Sequence, residues 1–247
     1  MIELYSASSN LGDNLSLTPL MRQTPCRVHL YDDAAVRSIA PIFDSLCEVV
    51  FDNTGPIASP EAFVRGPHSK KTLTYFGYPN ASAIPKIILT EKEISWAKRY
   101  VEDLQIENGC IIKSSTQQIN YRTPPQELIQ DIVYSNPSIQ FLTSGLSKKH
   151  PKNNFSNTPI DHVMTMWDYP IRSLAAIYSI IGRYIGPDTG DYHLMLAVGG
   201  KADVLVPKSV WSYRHEDFHY NEECWLDEPI RLKYHDWSLP ITNTISL

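Results

Sequence analysis

The chain has 247 residues, 43% of them hydrophobic and 20% charged, with a formal net charge of −5. That composition supports a packed core and excludes wholesale disorder. The mild acidity excludes a global basic field of the kind that marks nucleic-acid binders. No run approaches the roughly 18 apolar residues of a membrane-spanning helix. Met1-Ile2-Glu3-Leu4 lacks the basic and then apolar pattern of a signal peptide. The four cysteines (Cys26, Cys47, Cys110, Cys224) have no metal-finger spacing. The expectation is a cytoplasmic protein with reduced thiols and no membrane span.

In chain order, residues 2–5 read as a short strand, followed by the polar loop Ser8-Ser9-Asn10-Leu11-Gly12-Asp13. Leu15, Leu17, Leu20 and Met21 predict the buried side of one helix, with Pro25 just beyond its end. Residues 27–31 and 48–51 are further strands, separated by a helical pattern over 34–46. Strands alternating with helices imply a mainly parallel sheet. Residues 53–86 carry five prolines and one predicted strand, Thr72-Leu73-Thr74-Tyr75-Phe76. Thr90, with Glu93 three residues later, is a capping box that opens a helix. Ile94, Ala97, Val101 and Leu104 line one face of that helix.

A second alternating unit begins at the strand Cys110-Ile111-Ile112, followed by a polar loop over 113–122. Pro124-Pro125 starts a helix with Leu128, Ile129, Ile132 and Val133. Strands are then predicted at 139–142, 162–164, 183–186 and 202–206, with helices containing Leu174, Ala175 and Tyr178, and over 194–198. The expected organisation is 1–88, a reduced N-terminal domain; 89–104, a linker helix; 105–206, a second Rossmann-like domain; and 207–247, a tail rich in aromatics and acids.

Several loops carry candidate chemistry. Asp188-Thr189-Gly190 stands where a strand gives way to a helix. Unpaired amides and partial positive charge there suit a phosphate, and plain helix capping uses the same residue types. His193 lies within the first turn of that helix, either facing a ligand or packing. Ser114-Ser115-Thr116, flanked by Lys113 and Arg122, is either a second phosphate edge or a solvated loop. In open α/β sheets ligands bind outside the carboxyl ends of the strands, which favours reading the two loops together. Asn10-Leu11-Gly12-Asp13 is a third strand-to-helix loop. Asp13 either caps its helix or acts as a general base, since a helix N-terminus keeps a carboxylate ionised. Met166 and Trp167, near a strand end, either stack on a base or fill the core. The run His215-Glu216-Asp217-Phe218-His219 has metal-ligand residue types but no metal-motif spacing.

Three segments together resemble glycosyltransferase family 9, the ADP-heptose:lipopolysaccharide heptosyltransferase-like family of GT-B fold. Leu11-Gly12-Asp13-Asn14-Leu15-Ser16-Leu17-Thr18-Pro19-Leu20 is similar to the family's first helix start. Ile111-Ile112-Lys113-Ser114-Ser115 with Arg122-Thr123-Pro124 is similar to its phosphate loop. Tyr184-Ile185-Gly186-Pro187-Asp188-Thr189-Gly190-Asp191-Tyr192-His193-Leu194 is similar to its donor motif. The resemblance covers about residues 1–206.

It implies an α/β, GT-B-like pair of Rossmann-like domains facing a cleft, the first domain reduced, and an inverting transferase for hexosyl, heptosyl or pentosyl groups. The co-substrate would be a nucleotide-sugar, with no metal. Donor-binding positions would be Lys113, Ser114, Ser115, Trp167, Asp188, Thr189, Gly190 and His193. Asp13 would be the catalytic base, and Arg122, or next Lys113, would stabilise the departing diphosphate. Asn10 and Gly12 would face the acceptor. The stretch from Phe76-Gly77 to Glu91 resembles the end of the family's first domain. Thr123 replaces the family's Trp and Met195 its Ala, and the chain is shorter than lipopolysaccharide-acting members. Short chains of this type also occur in bacteriophages, where some glycosyltransferases modify hydroxymethylated DNA. The acceptor is thus a glycan or modified DNA, for which Lys70-Lys71 and Lys148-Lys149-His150-Pro151-Lys152 supply local basic clusters. A relative of the same fold that binds a nucleotide or sugar without transferring it is the alternative.

Overall fold

The computed structural model describes residues 1–6, 10–52, 69–115, 123–145, 162–207 and 232–237. Its first sheet has three strands, β1 (Ile2–Ser6), β2 (Cys26–Tyr31) and β3 (Glu48–Asp52), all parallel and in that order. Strand alternation sends Leu4, Val28 and Leu30 into the core. The other face carries a charged ladder across all three strands. Arg27 bridges Glu3 and Glu48 at 3.3 and 2.9 Å. His29 lies 2.7 Å from Glu3 Oε2 and 2.6 Å from Asp52 Oδ2, under the stacked ring of Tyr5. Burial lowers the His29 pKa, but its two carboxylate partners outweigh that and raise it overall.

Between β1 and β2 the predicted single helix is two short ones, α1 (Leu11–Leu15) and α2 (Thr18–Met21). The break follows from chemistry. Pro19 has no N–H to continue the first helix and suits the start of the second, while the Ser16 hydroxyl donates back to the Asp13 carbonyl at 2.6 Å. Helix α3 (Ala34–Ile39) and a 3-10 turn, Ala40–Phe43, lead to β3. The predicted strand at 72–76 is instead part of helix α4 (Ser69–Tyr75). Its β-branched and aromatic residues favoured a strand, but Thr72 and Leu73 are buried on a helix that packs against α2. Helix α5 (Glu91–Asp103) carries the expected capping box: Thr90 Oγ1 accepts from Glu93 N, and Glu93 Oε2 accepts from Thr90 N at 2.7 Å.

The second sheet has six parallel strands: β4 (Gly109–Ile112), β5 (Gln140–Gly145), β6 (Val163–Trp167), β7 (Arg183–Pro187), β8 (Lys201–Val206) and β9 (Leu232–Asp236). Their spatial order is β6-β5-β4-β7-β8-β9, the doubly wound order that reverses between the first and fourth strands of the unit. Helix α6 (Gln126–Ser135) covers one face through Ile129, Ile132 and Val133. Helices α7 (Ile171–Ile181) and α8 (Gly190–Ala197) cover the other. Strand β9 comes from the segment expected as a separate tail. It lies parallel to β8, where His235 Nε2 meets Asp203 Oδ1 at 2.7 Å, so this part of the tail belongs to the second sheet. Among the described residues Cys26, Cys47 and Cys110 are free thiols, and burial pushes their pKa values up to about 11, 12 and 12. No described helix is long and apolar enough to cross a membrane.

One apolar cluster runs from Leu4 and Phe43 in the first unit to Ala175, Leu194 and Val204 in the second. Polar ties reinforce it. Ile87 N donates to Ala197 O at 3.1 Å, and Lys86 N donates to Thr18 Oγ1 at 3.0 Å. Arg172, at the start of α7 and 13% exposed, reaches both Glu93 oxygens at 2.5 and 2.7 Å and donates to the carbonyls of Pro41 and Ile88.

Candidate active site

The strand order of the second sheet reverses between β4 and β7, and the residues just past those two strands converge there. Lys113 follows β4, and its backbone N–H still pairs with Ile185 O of β7 at 3.1 Å. The two strands approach this closely because of Gly186. Its φ of +152° is one that L side chains rarely adopt, and a Cβ there would stand 2.8 Å from the Lys113 carbonyl. Asp188, 9% exposed, and Thr189 follow β7. Thr189 is the N-cap of α8, accepting from Asp191 N at 3.3 Å, and its hydroxyl lies 3.2 Å from the Tyr184 hydroxyl. Tyr184 OH itself donates to Pro187 O at 2.7 Å, which fixes the turn between β7 and α8. Ser114 and Ser115 are half-buried at the end of β4.

A side-chain network lies behind this loop pair. The Lys113 ammonium donates to the Ser144 carbonyl on β5 and lies 3.5 Å from Asp191 Oδ2. The other Asp191 oxygen accepts from Ser144 Oγ at 2.8 Å and from Tyr178 OH on α7 at 2.6 Å. Complete burial, and then the charge of Asp191, push the Tyr178 pKa well above its ordinary value, so it acts here as a hydrogen-bond donor. The sequence alone does not single out Asp191, Ser144 and Tyr178 as a cluster. Only the strand-end position of Lys113 hinted at them.

The first unit meets this site through α1. A Cβ on Gly12 would lie 2.7 Å from the His193 ring, and one on Gly190 would lie 2.9 Å from Leu11 Cβ. Each glycine therefore receives a side chain from the opposite helix, and the starts of α1 and α8 lie against each other. The close neighbour of Gly190 in the structure is Leu11. His193, 6% exposed, packs against Tyr192 with ring centroids 3.9 Å apart and fills the space beside Gly12. Asp13 follows Gly12 in the first turn of α1, half-buried, with Asn10 Nδ2 3.3 Å from its Oδ2. The buried Asn14 holds the loop in shape: its Oδ1 accepts from Ser6 Oγ and its Nδ2 donates to Asn10 O, each at 2.9 Å. Asp13 and the loop at 188–190 are thus brought to two abutting helix starts, one from each unit.

Met166 is 2% exposed, so it is a core residue and no stacking platform. The backbone of Trp167 ends β6 beside Gly145. Its side chain lies outside the described residues, as do Arg122, Thr116, Cys224, the run from His215 to His219, the side chains of Lys70 and Lys71, and the cluster from Lys148 to Lys152. Among the described residues no group of three His, Cys, Asp or Glu side chains is placed to hold a metal ion.

No family model and no curated protein matches the chain by sequence. Solved structures do match its fold. "ADP-heptose lps heptosyltransferase II" of E. coli aligns with a TM-score of 0.59 at 11% identity, covering 95% of this chain and 90% of that one. A glycosyltransferase family 9 protein from Veillonella parvula aligns at 0.57 and 9% identity, covering 82% and 80%. E. coli heptosyltransferase WaaC, with ADP-2-deoxy-2-fluoro heptose, aligns at 0.52 and 11%, covering 84% and 89%. The chain has the mixed α/β, parallel-sheet, GT-B-like fold of these heptosyltransferase-type proteins.

Proposed function

We propose that the protein is a family 9-type glycosyltransferase that moves a sugar from a nucleoside-diphosphate donor to an acceptor hydroxyl with inversion. The observation that carries this reading is the convergence of Lys113 and the Asp188-Thr189-Gly190 loop at the strand-order reversal, with Asp13 on the abutting helix start. The second domain, residues 105–206, holds the donor in this account, and the first, residues 1–88, presents the acceptor. The diphosphate meets the Lys113 ammonium and the amino end of α8, where an anion is favoured. Ser114, Ser115 and Thr189 line the same loop pair. Arg122 is a further candidate cation by its place in the sequence.

In the transfer step, Asp13 takes the proton of the acceptor hydroxyl as its oxygen attacks the anomeric carbon. The bond from that carbon to the diphosphate oxygen breaks on the opposite side. The electron pair leaves with the nucleoside diphosphate, whose added charge Lys113 offsets. The acceptor is a glycan hydroxyl or a hydroxymethylated base of DNA.

The test is incubation with a panel of nucleotide-sugars and these acceptors, followed by NMR of the anomeric configuration. The expected product has the configuration opposite to that of its donor, and transfer to DNA should fall steeply with added salt. A product of retained configuration would overturn the mechanism. Donor binding without any transfer would favour the non-catalytic binding relative.

A further inference from the structure

The donor site proposed above contains a carboxylate that the transfer step does not use. Asp191 is in the first turn of α8, beside the loop assigned to the diphosphate, where a negative charge opposes an incoming anion. Its side chain is 21% exposed and that of Lys113 18%, so solvent screens the pair only partly. Asp191 Oδ1 is held by two hydroxyl donors, Ser144 Oγ and Tyr178 OH, which come from β5 and α7. Its Oδ2 is the oxygen turned toward the Lys113 ammonium. The carboxylate is anchored from behind and offers its free edge to the one described cation at the strand-order reversal. Helix capping does not require this, because Thr189 already caps α8.

We propose that Asp191 is the resting counter-ion of Lys113, a positioning residue that a donor phosphate oxygen displaces from the ammonium and that re-forms its pair when the nucleoside diphosphate leaves. This inference rests on the transferase reading. In the empty site the pair is neutral and Lys113 is held in place, with a second contact to the Ser144 carbonyl. When a diphosphate binds, the ammonium exchanges one oxygen anion for another, so part of its attraction for the ligand is offset by the lost pair with Asp191. The device lowers affinity for the product and speeds its release.

This predicts a gain of affinity from removing the charge of Asp191 while keeping its shape, which no purely structural role of Asp191 would produce. Asp191→Asn keeps the size of the side chain and an oxygen to accept from Ser144 and Tyr178. Calorimetric titration with inorganic pyrophosphate and with ADP, UDP, GDP and CDP is the measurement. Asp191→Asn is expected to bind pyrophosphate and the preferred nucleotide about 10-fold more tightly than the wild-type chain. Asp191→Ser, also at home in a first helical turn, should shift affinity in the same direction should the Asn variant fold poorly. Lys113→Met should weaken binding by about 10-fold, and adding Asp191→Asn to it should raise affinity by less than the same change does with Lys113 present, because only the relief of direct repulsion then remains and the exchange needs both partners. Unchanged or weaker binding by both Asp191 variants overturns the proposal, as does a wild-type chain that binds none of these probes. A chain that binds pyrophosphate with the expected pattern but no nucleotide would uphold the pair and remove the transferase reading instead.

Discussion

Asp13→Asn is expected to slow glycosyl transfer by about 10²–10⁴-fold, the range attributed to a positioned general base. Affinity for the nucleoside diphosphate should change by less than about threefold, because the donor contacts proposed above lie on the second unit. The argument is geometric. Asp13 is placed by Asn14, whose side chain is fully buried and tied to Ser6 and to the Asn10 carbonyl. The adjacent Gly12 lies against His193 of α8. The carboxylate thus belongs to the first unit in sequence but stands beside the helix start of the second in space. The Asn variant keeps its size in a half-buried position, so the fold should survive. Steady-state kinetics with the best donor and acceptor check the rate, and calorimetry checks affinity. An Asp13→Asn chain with wild-type kcat would remove Asp13 from the chemistry.

The largest effect on stability is expected from Arg172→Ala, which should cost about 2–3 kcal/mol, just below the range for breaking a fully buried pair because Glu93 is partly exposed. Thermal unfolding should then shift down by about 5–10 °C for a chain of this size. Arg172 joins three parts of the chain at one point: the 3-10 turn of the first unit at Pro41, the segment at Ile88, and helix α5 at Glu93. The Arg172 hydrogen bond holds the Glu93 carboxyl down to about 2, against the ordinary 4.5, with help from Thr90. A lowered carboxylate pKa gives stability that is fully present above the unfolded value and is lost as pH falls through the folded one. The gap in melting temperature between wild type and Arg172→Ala should therefore be widest near neutrality and narrow as pH drops below about 4.5 toward 2. It should not close, since the carbonyl contacts of Arg172 do not titrate. A gap that is the same at pH 7 and pH 2.5 would show that Glu93 is not the partner that matters.

The alternating pattern of strand and helix was readable because each strand of a parallel sheet is a short apolar run bounded by polar loops. The cores of β4, β7 and β8 and the Thr90–Glu93 capping box stand where their residues indicated. Segments whose local preference is outvoted by packing were not readable. Thr72-Leu73-Thr74-Tyr75-Phe76 has strand composition, yet the burial of Leu73 beside α2 makes it helical. Strand β9 lies 26 residues beyond the end of β8, by subtraction of 206 from 232, and nothing local names β8 as its partner.

The site divided in the same way. Lys113 and the loop at 188–190 lie at strand ends, so the rule that ligands gather there pointed to them. Asp191, Ser144 and Tyr178 come together only through the sheet order, over separations of 47 and 13 residues. The family resemblance turns Gly12 toward the acceptor and makes Gly190 a donor-binding position. In the structure each is matched by a side chain from the opposite helix, an arrangement of tertiary packing that local sequence does not encode.

Thermal unfolding of the wild-type chain with ADP-, UDP-, GDP- and CDP-sugars and their nucleoside diphosphates tests the proposed donor site most directly. Ligand at about 100 times its dissociation constant adds roughly 2.7 kcal/mol to stability, worth about 5–10 °C in a chain of this length. One base is expected to stand out, with its sugar-linked and free diphosphates both raising the melting temperature, and with Lys113→Met reducing the shift. No shift with any nucleotide, under conditions where the chain melts cooperatively, would contradict a diphosphate site between β4 and β7.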